Sequence, residues 1–206
     1  MSGQVFFSVS MTLDGFIAPA SSSELMGQQW RELQGWMFPL RFIRENLKLG
    51  EGGEEGNDND RARITFERTG ASIMGKHMFD AGEHMWPAEA PFHTSVFVVT
   101  HENRDPWHRP GGTTFYFVND GIESALDQAR TAAGSRDVRV AGGGKTVREY
   151  LNAGLIDEFH LALSPTLFGA GVRLFDGVDA SRIALEQQRV ESSERATHLH
   201  YAVRRK

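Results

Sequence analysis

The hydrophobic pattern changes its period along the chain. Val5-Phe6-Phe7-Ser8-Val9 is β-branched and aromatic and predicts a strand. Leu13-Asp14-Gly15-Phe16 then carries a turn signal, because Asp-Gly tolerates positive φ. From Trp30 the spacing lengthens: Trp30, Leu33, Met37, Leu40, Ile43 and Leu47 mark one face of a helix. Pro39 lies inside that stripe and is expected to kink or split the helix. Residues 48–61 lose the pattern. Gly50 to Asp60 is acidic, glycine-rich and free of apolar side chains, which predicts a flexible loop. A linker between domains is the weaker reading, since the roughly 50 residues before it are few for an independent core.

Beyond the loop, strand and helix patterns alternate. Short strands are predicted at Ala71–Met74, Val96–Val99, Thr114–Val118 and Val138–Ala141. Several are almost continuously apolar, as strands covered on both faces are. Asp120-Gly121-Ile122-Glu123 predicts a capping box, followed by a buried stripe of Ile122, Ala125, Leu126 and Ala129. A second helix is predicted from Thr146 to Ala153. Phe159, Leu161 and Leu163 then alternate with polar or small residues, and strands near Ile183–Val190 and Ala196–Arg204 are close enough to pair. The expected class is α/β: a mixed, mostly parallel central sheet flanked by helices, with an antiparallel C-terminal hairpin, in one domain over residues 1–206.

Composition narrows the function classes. The net charge of −5 argues against nonspecific binding to nucleic acid or to an anionic membrane. No stretch approaches the roughly 20 apolar residues that span a bilayer. Met1 to Ser10 lacks Lys and Arg and reads as a strand rather than a signal, so a cytoplasmic protein is expected. The absence of cysteine excludes disulfides, thiolate nucleophiles and Cys-ligated zinc. His198 and His200, or His77 and His84, find no third ligand at suitable spacing, so no metal is expected.

Candidate chemistry gathers where strands give way to helices. In Ala141-Gly142-Gly143-Gly144-Lys145-Thr146 a strand feeds three glycines and a helix follows. Glycines allow close approach of a ligand, and the free N–H groups of a helix start attract phosphate. It is not a P-loop, which would need glycine at Arg139, nor a Rossmann fingerprint, which would need glycine at Val147. Gly75-Lys76-His77-Met78 is a second such junction, and two together suit a dinucleotide. Thr100 and His101 end a strand where open α/β sheets bind ligands. Asp14 either accepts hydrogen bonds from a heterocycle or satisfies its own turn, the turn role being favoured.

In this order the segments resemble the dihydrofolate reductase superfamily, and within it the C-terminal reductase domain of the riboflavin-biosynthesis protein RibD. The resemblance rests on Ser10-Met11-Thr12-Leu13-Asp14-Gly15-Phe16-Ile17-Ala18, Met74-Gly75-Lys76-His77-Met78-Phe79, Ala141 to Thr146, and Leu163-Ser164-Pro165-Thr166-Leu167-Phe168-Gly169-Ala170-Gly171. It implies an NADPH-dependent oxidoreductase acting on a small heterocycle, such as 5-amino-6-(5-phosphoribosylamino)uracil, and a homodimer. It also implies cofactor contacts: Gly75 to Met78 and Gly142 to Thr146 around the pyrophosphate, Thr100 and His101 by the adenosine 2′-phosphate, Ile17 and Ala18 at the nicotinamide. These residues carry no deaminase half, so a stand-alone member of that family is expected. The acidic residue of folate reductases has only Glu24 and Glu32 as counterparts, so a dihydrofolate-type reductase is a lesser alternative, as is a nucleotide-binding protein without catalysis. No residue is assigned as the proton donor.

Overall fold

A computed structural model describes residues 3–21 and 27–206; Glu24 lies outside the described residues. Strands β1 (Val5–Thr12), β3 (Thr69–Gly75), β4 (Ser95–Val99), β6 (Thr114–Val118), β7 (Asp137–Gly142) and β8 (Glu158–Ser164) run parallel within one nine-stranded sheet. β11 (Thr197–Arg205) pairs antiparallel with β8, and β10 (Ile183–Ser192) with β11, giving the expected hairpin. β5 (Trp107–His108) closes the other edge, so the order is β10-β11-β8-β1-β7-β3-β4-β6-β5. β2 (Phe16–Ala18) pairs apart from this sheet with β9 (Val172–Arg173).

Alternate residues of each strand point to opposite faces. Val5, Phe7, Ile73, Phe97, Val138, Val140, Phe159 and Leu161 form one face, which packs with the buried sides of α5 (Ile122–Ala133) and α6 (Gly144–Asn152). Helices α1 (Gln28–Leu33), α2 (Arg41–Asn46), α3 (Asn57–Arg68) and α4 (Lys76–Glu83) belong to the other side, where Trp36, Leu40, Ile43 and Ala62 form a smaller core.

The expected split at Pro39 is present: the stripe from Trp30 to Leu47 is two six-residue helices, because Pro39 and the turn before it break the hydrogen-bond ladder. Two other expectations need correction. Residues 48–61 are not one featureless loop. Gly53 lies against Pro39 and Arg41, Leu40 bridges Glu54, and α3 begins at Asn57. Asp58 and Asn59 are buried through hydrogen bonds: Asn59 Oδ1 accepts from the Phe42 N–H at 2.8 Å, and Asp58 bonds Ser193 and His198. A polar run predicts solvent, whereas here the side chains of Asp58 and Asn59 are buried hydrogen-bond partners. Finally, α5 has Gly121 as its N-cap with no side-chain cap, so the capping box does not form.

Candidate active-site cleft

One cavity of about 1610 Å³ runs along the carboxyl ends of the strands and under α3. Its outer part is built from the two glycine junctions. β3 and β7 are neighbours, so Gly75 and Gly142 end adjacent strands. A Cβ on Gly75 would sit 2.3 Å from Thr146 Oγ1, and one on Gly142 would sit 2.9 Å from Met78 Sδ. The start of α6 is thus pressed against the start of α4. Residues of both first turns, Lys76 to Met78 and Gly144 to Thr146, line the same space. Gly142 and Gly143 have φ of +148° and +84°, which disfavours any side chain there. Gly75 has φ of −82°, so only close approach requires glycine at that position.

The structure brings almost all the predicted site residues to this cavity. Ile17 and Ala18 of β2 line it, with Gly75, Lys76, His77, Met78, Thr100, His101, Gly142, Gly143, Gly144, Lys145 and Thr146. The two lysines are not free cations. Lys76 Nζ lies 2.7 Å from Asp80 Oδ1 and 3.1 Å from Glu102 Oε1, and the Asp80 hydrogen bond leads in holding its ammonium above the usual range. Lys145 is solvated and 3.7 Å from Glu149. Thr100 Oγ1 accepts from the Glu102 N–H at 3.1 Å, closing a small turn at the strand end.

Asp14 is absent from the lining. Its carboxylate accepts from the Thr12 hydroxyl and from the N–H groups of Phe168 and Gly169, the latter at 2.7 Å. The Thr12 hydrogen bond leads in holding it below the ordinary carboxylate range, and the two N–H groups add to it against an opposing desolvation cost. Asp14 is therefore the clasp between the first turn and the Leu163–Gly171 segment. A substrate-binding role does not fit this geometry, while the turn role does. Arg173 completes the clasp, donating to the Asp14 carbonyl at 2.9 Å and stacking over the Phe16 ring.

The inner part of the cavity was not read from the sequence. Ser8 and Ser10 of β1, Arg139 of β7 and His160 of β8 share the sheet face under α3, and all four line the cavity. Gln34, Trp36, Arg61 and Phe66 face them from the helical side. The Trp36 indole N–H donates to Ser10 Oγ at 2.9 Å, and Ser10 donates to Gln34 Oε1 at 2.8 Å. Ser8 Oγ meets His160 Nδ1 at 3.1 Å. The His160 ring stacks on His198, whose Nε2 is 2.7 Å from Asp58 Oδ1. Burial, with added repulsion from His198 and Arg61, pushes His160 down to about 3, so it is neutral at ordinary pH. Glu32 is bonded to Gln28 on the exposed side of α1 and does not line the cavity. Among the described residues the carboxylates lining the cavity are Glu102 and Glu149, both beside the glycine junctions. The signal that could have located the inner wall was the polar alternation Ser8, Ser10 in β1 and the lone Arg139 in an apolar strand.

Comparison with known proteins agrees with this architecture. The family model of the RibD C-terminal domain matches residues 4–199. The uncharacterized protein YyaP of Bacillus subtilis (strain 168) is 34% identical over 172 residues, covering 84% of this chain and 80% of that protein. A putative riboflavin biosynthesis protein from Shewanella sp. PV-4 superimposes with a TM-score of 0.69 at 20% identity, covering 98% of this chain and 99% of that one. The dihydrofolate reductase of Enterococcus faecalis complexed with NADP(H) and RAB-propyl superimposes with a TM-score of 0.55 at 15% identity, over 100% of this chain and 98% of that one. The fold is dihydrofolate-reductase-like. Among the described residues no helix is long and apolar enough to cross a membrane.

Proposed function

The chain belongs to the RibD C-terminal domain family, and on that premise we propose that it is a reductase that takes hydride from NADPH and delivers it to a small heterocycle. The observation that carries the reading is the joined pair of glycine junctions. Gly75 leaves no room for a Cβ beside Thr146, and two helix starts face one cleft. That is a cradle for a diphosphate, and it suits the dinucleotide better than any single phosphate. Ile17 and Ala18 then border the space where a nicotinamide would meet the inner wall. The bound cofactor would supply the hydride; the chain's part is to align the two rings and exclude water. A dihydrofolate-type activity is less well supported, because the inner wall offers hydroxyls, an amide and cations where a pterin reader would use a carboxylate. Substrate-dependent NADPH consumption separates a reductase from a protein that only binds nucleotide.

Preference for NADPH over NADH is the sharper test. Thr100 and His101 border the region for an extra phosphate, yet Glu102 stands beside them and engages Lys76. At a free concentration of 100 times the dissociation constant, NADPH should stabilise the protein by about 2.7 kcal/mol. Melting shifts should be larger with NADPH than with NADH, and Glu102→Gln should widen the gap by removing a negative charge beside Thr100 and His101, with Lys76 still held by Asp80. Gly75→Ala should weaken both cofactors. Equal shifts with both, or none with either, would remove the assignment.

A further inference from the structure

Three arginines lie on or beside the sheet face under α3, and two are neutralised. Arg68 donates to Asp137 and Glu158, each at 2.6 Å. Arg61 is paired with Glu191. Arg139 has no ion pair or hydrogen bond among the described residues, and its buried Nε has no partner. The Phe66 ring covers its guanidinium at 5.1 Å. Burial, with no opposing partner, pulls its pKa down to about 10, the reverse of Arg68, whose two carboxylates outweigh desolvation. Arg139 is half-buried, with its Nε sealed off and unpartnered, and a cation so placed is costly unless an anion pairs with it.

We propose that Arg139 anchors a carboxylate carried by the planar substrate, at the inner end of the cleft and apart from the glycine junctions. The word substrate rests on the reductase reading; the anion site itself does not. Arg139 lines the cavity from mid-β7, two positions before Ala141. With Phe66 on one face and Nε buried, the edge formed by the two Nη groups can meet a carboxylate in plane. Ser8 on the adjoining strand adds a hydroxyl. Charge counting selects a monoanion. Arg61 is already neutralised and His160 is uncharged, so one positive charge is available; a phosphate monoester would bring two negative charges to it. Trp30, Trp36 and Phe66 supply flat apolar surface for the ring.

The test is calorimetric titration of the full chain, with and without NADPH, using orotate, uracil and uridine monophosphate. Orotate and uracil differ only by the carboxylate, and uridine monophosphate offers the dianion instead. Orotate should bind about tenfold or more tightly than uracil, the usual scale of a charge-assisted pair, and more tightly than uridine monophosphate. In Arg139→Leu the difference between orotate and uracil should vanish; in Arg139→Lys part of it should remain. NADPH affinity should be unchanged in both variants, and Arg139→Leu should melt no lower than the wild type because it removes an uncompensated charge. Orotate binding no tighter than uracil, or uridine monophosphate binding tightest, would overturn the proposal. So would a lower melting point in Arg139→Leu with the orotate preference intact, which would make Arg139 structural. If NADPH fails to bind while the Arg139-dependent preference for orotate stands, the reductase reading falls and the carboxylate site survives.

Discussion

Under α5 and α6 the sheet presents Val5, Phe7, Val138, Val140, Phe159 and Leu161, all of them buried. Under α3 the alternate residues of the same three strands include Ser8, Ser10, Arg139 and His160. Phe7 stacks on Phe159 with ring centroids 4.8 Å apart, while on the reverse side Ser8 meets the ring of His160. Backbone pairing is common to both, so the contrast lies in side chains alone. One face contributes burial of apolar area. The other gives up part of that burial to keep hydroxyls, an imidazole and an unpaired guanidinium around a cavity. This is the pattern expected where stability yields to a binding function.

The comparison can be broken first on the apolar side. Phe7→Ala should cost about 3–5 kcal/mol, the range for deleting a buried ring, read from urea denaturation. A cost below about 1 kcal/mol would mean that the face is not the stabilising one.

The polar face should announce itself through pH. His160 has a folded pKa of about 3, below the ordinary imidazole value. The unfolded chain therefore binds a proton that the folded chain refuses. Stability from this group is complete above about pH 6.5 and is lost as pH falls toward 3, by on the order of 3 kcal/mol after discounting for cavity water. The difference between wild type and His160→Gln across that window should show the slope, and parallel curves would refute it. A smaller effect is expected at the link behind His160. Asp58→Asn weakens the bond to His198 and should cost about 1–2 kcal/mol, as for a buried charge-assisted hydrogen bond. It should leave cofactor affinity unchanged, because Asp58 is not in the cavity lining.

Periodicity made the apolar face legible. Val138, Val140, Phe159 and Leu161 announce strands, and the stripe on α5 announces its helix. The glycine junctions were legible because few other sequences meet a strand end, a helix start and a close approach together. The inner wall was not. Arg139 in the sequence is one basic residue in a strand, and only the sheet shows that no carboxylate reaches it. Asp58 failed for a similar reason. Its run of polar neighbours predicts solvent, and its partners Ser193 and His198 lie 135 and 140 residues away. Asp14 was legible as a turn residue from Asp-Gly itself, but its grip on Phe168 and Gly169 needed the fold.

The position of β1 in the sheet bears on how the protein is made. Its two neighbours are β7, which begins at Asp137, and β8, which begins at Glu158. β1 therefore has no strand partner until β7 and β8 have been made, and the wall carrying Ser8 is closed later still, when His198 arrives to hold Asp58. Such long loops must close before any contact rewards them, which slows folding and leaves Val5 to Val9 uncovered in the meantime. Moving β1 to the carboxyl terminus by circular permutation would shorten that wait, and faster refolding of the permuted chain would be its measure.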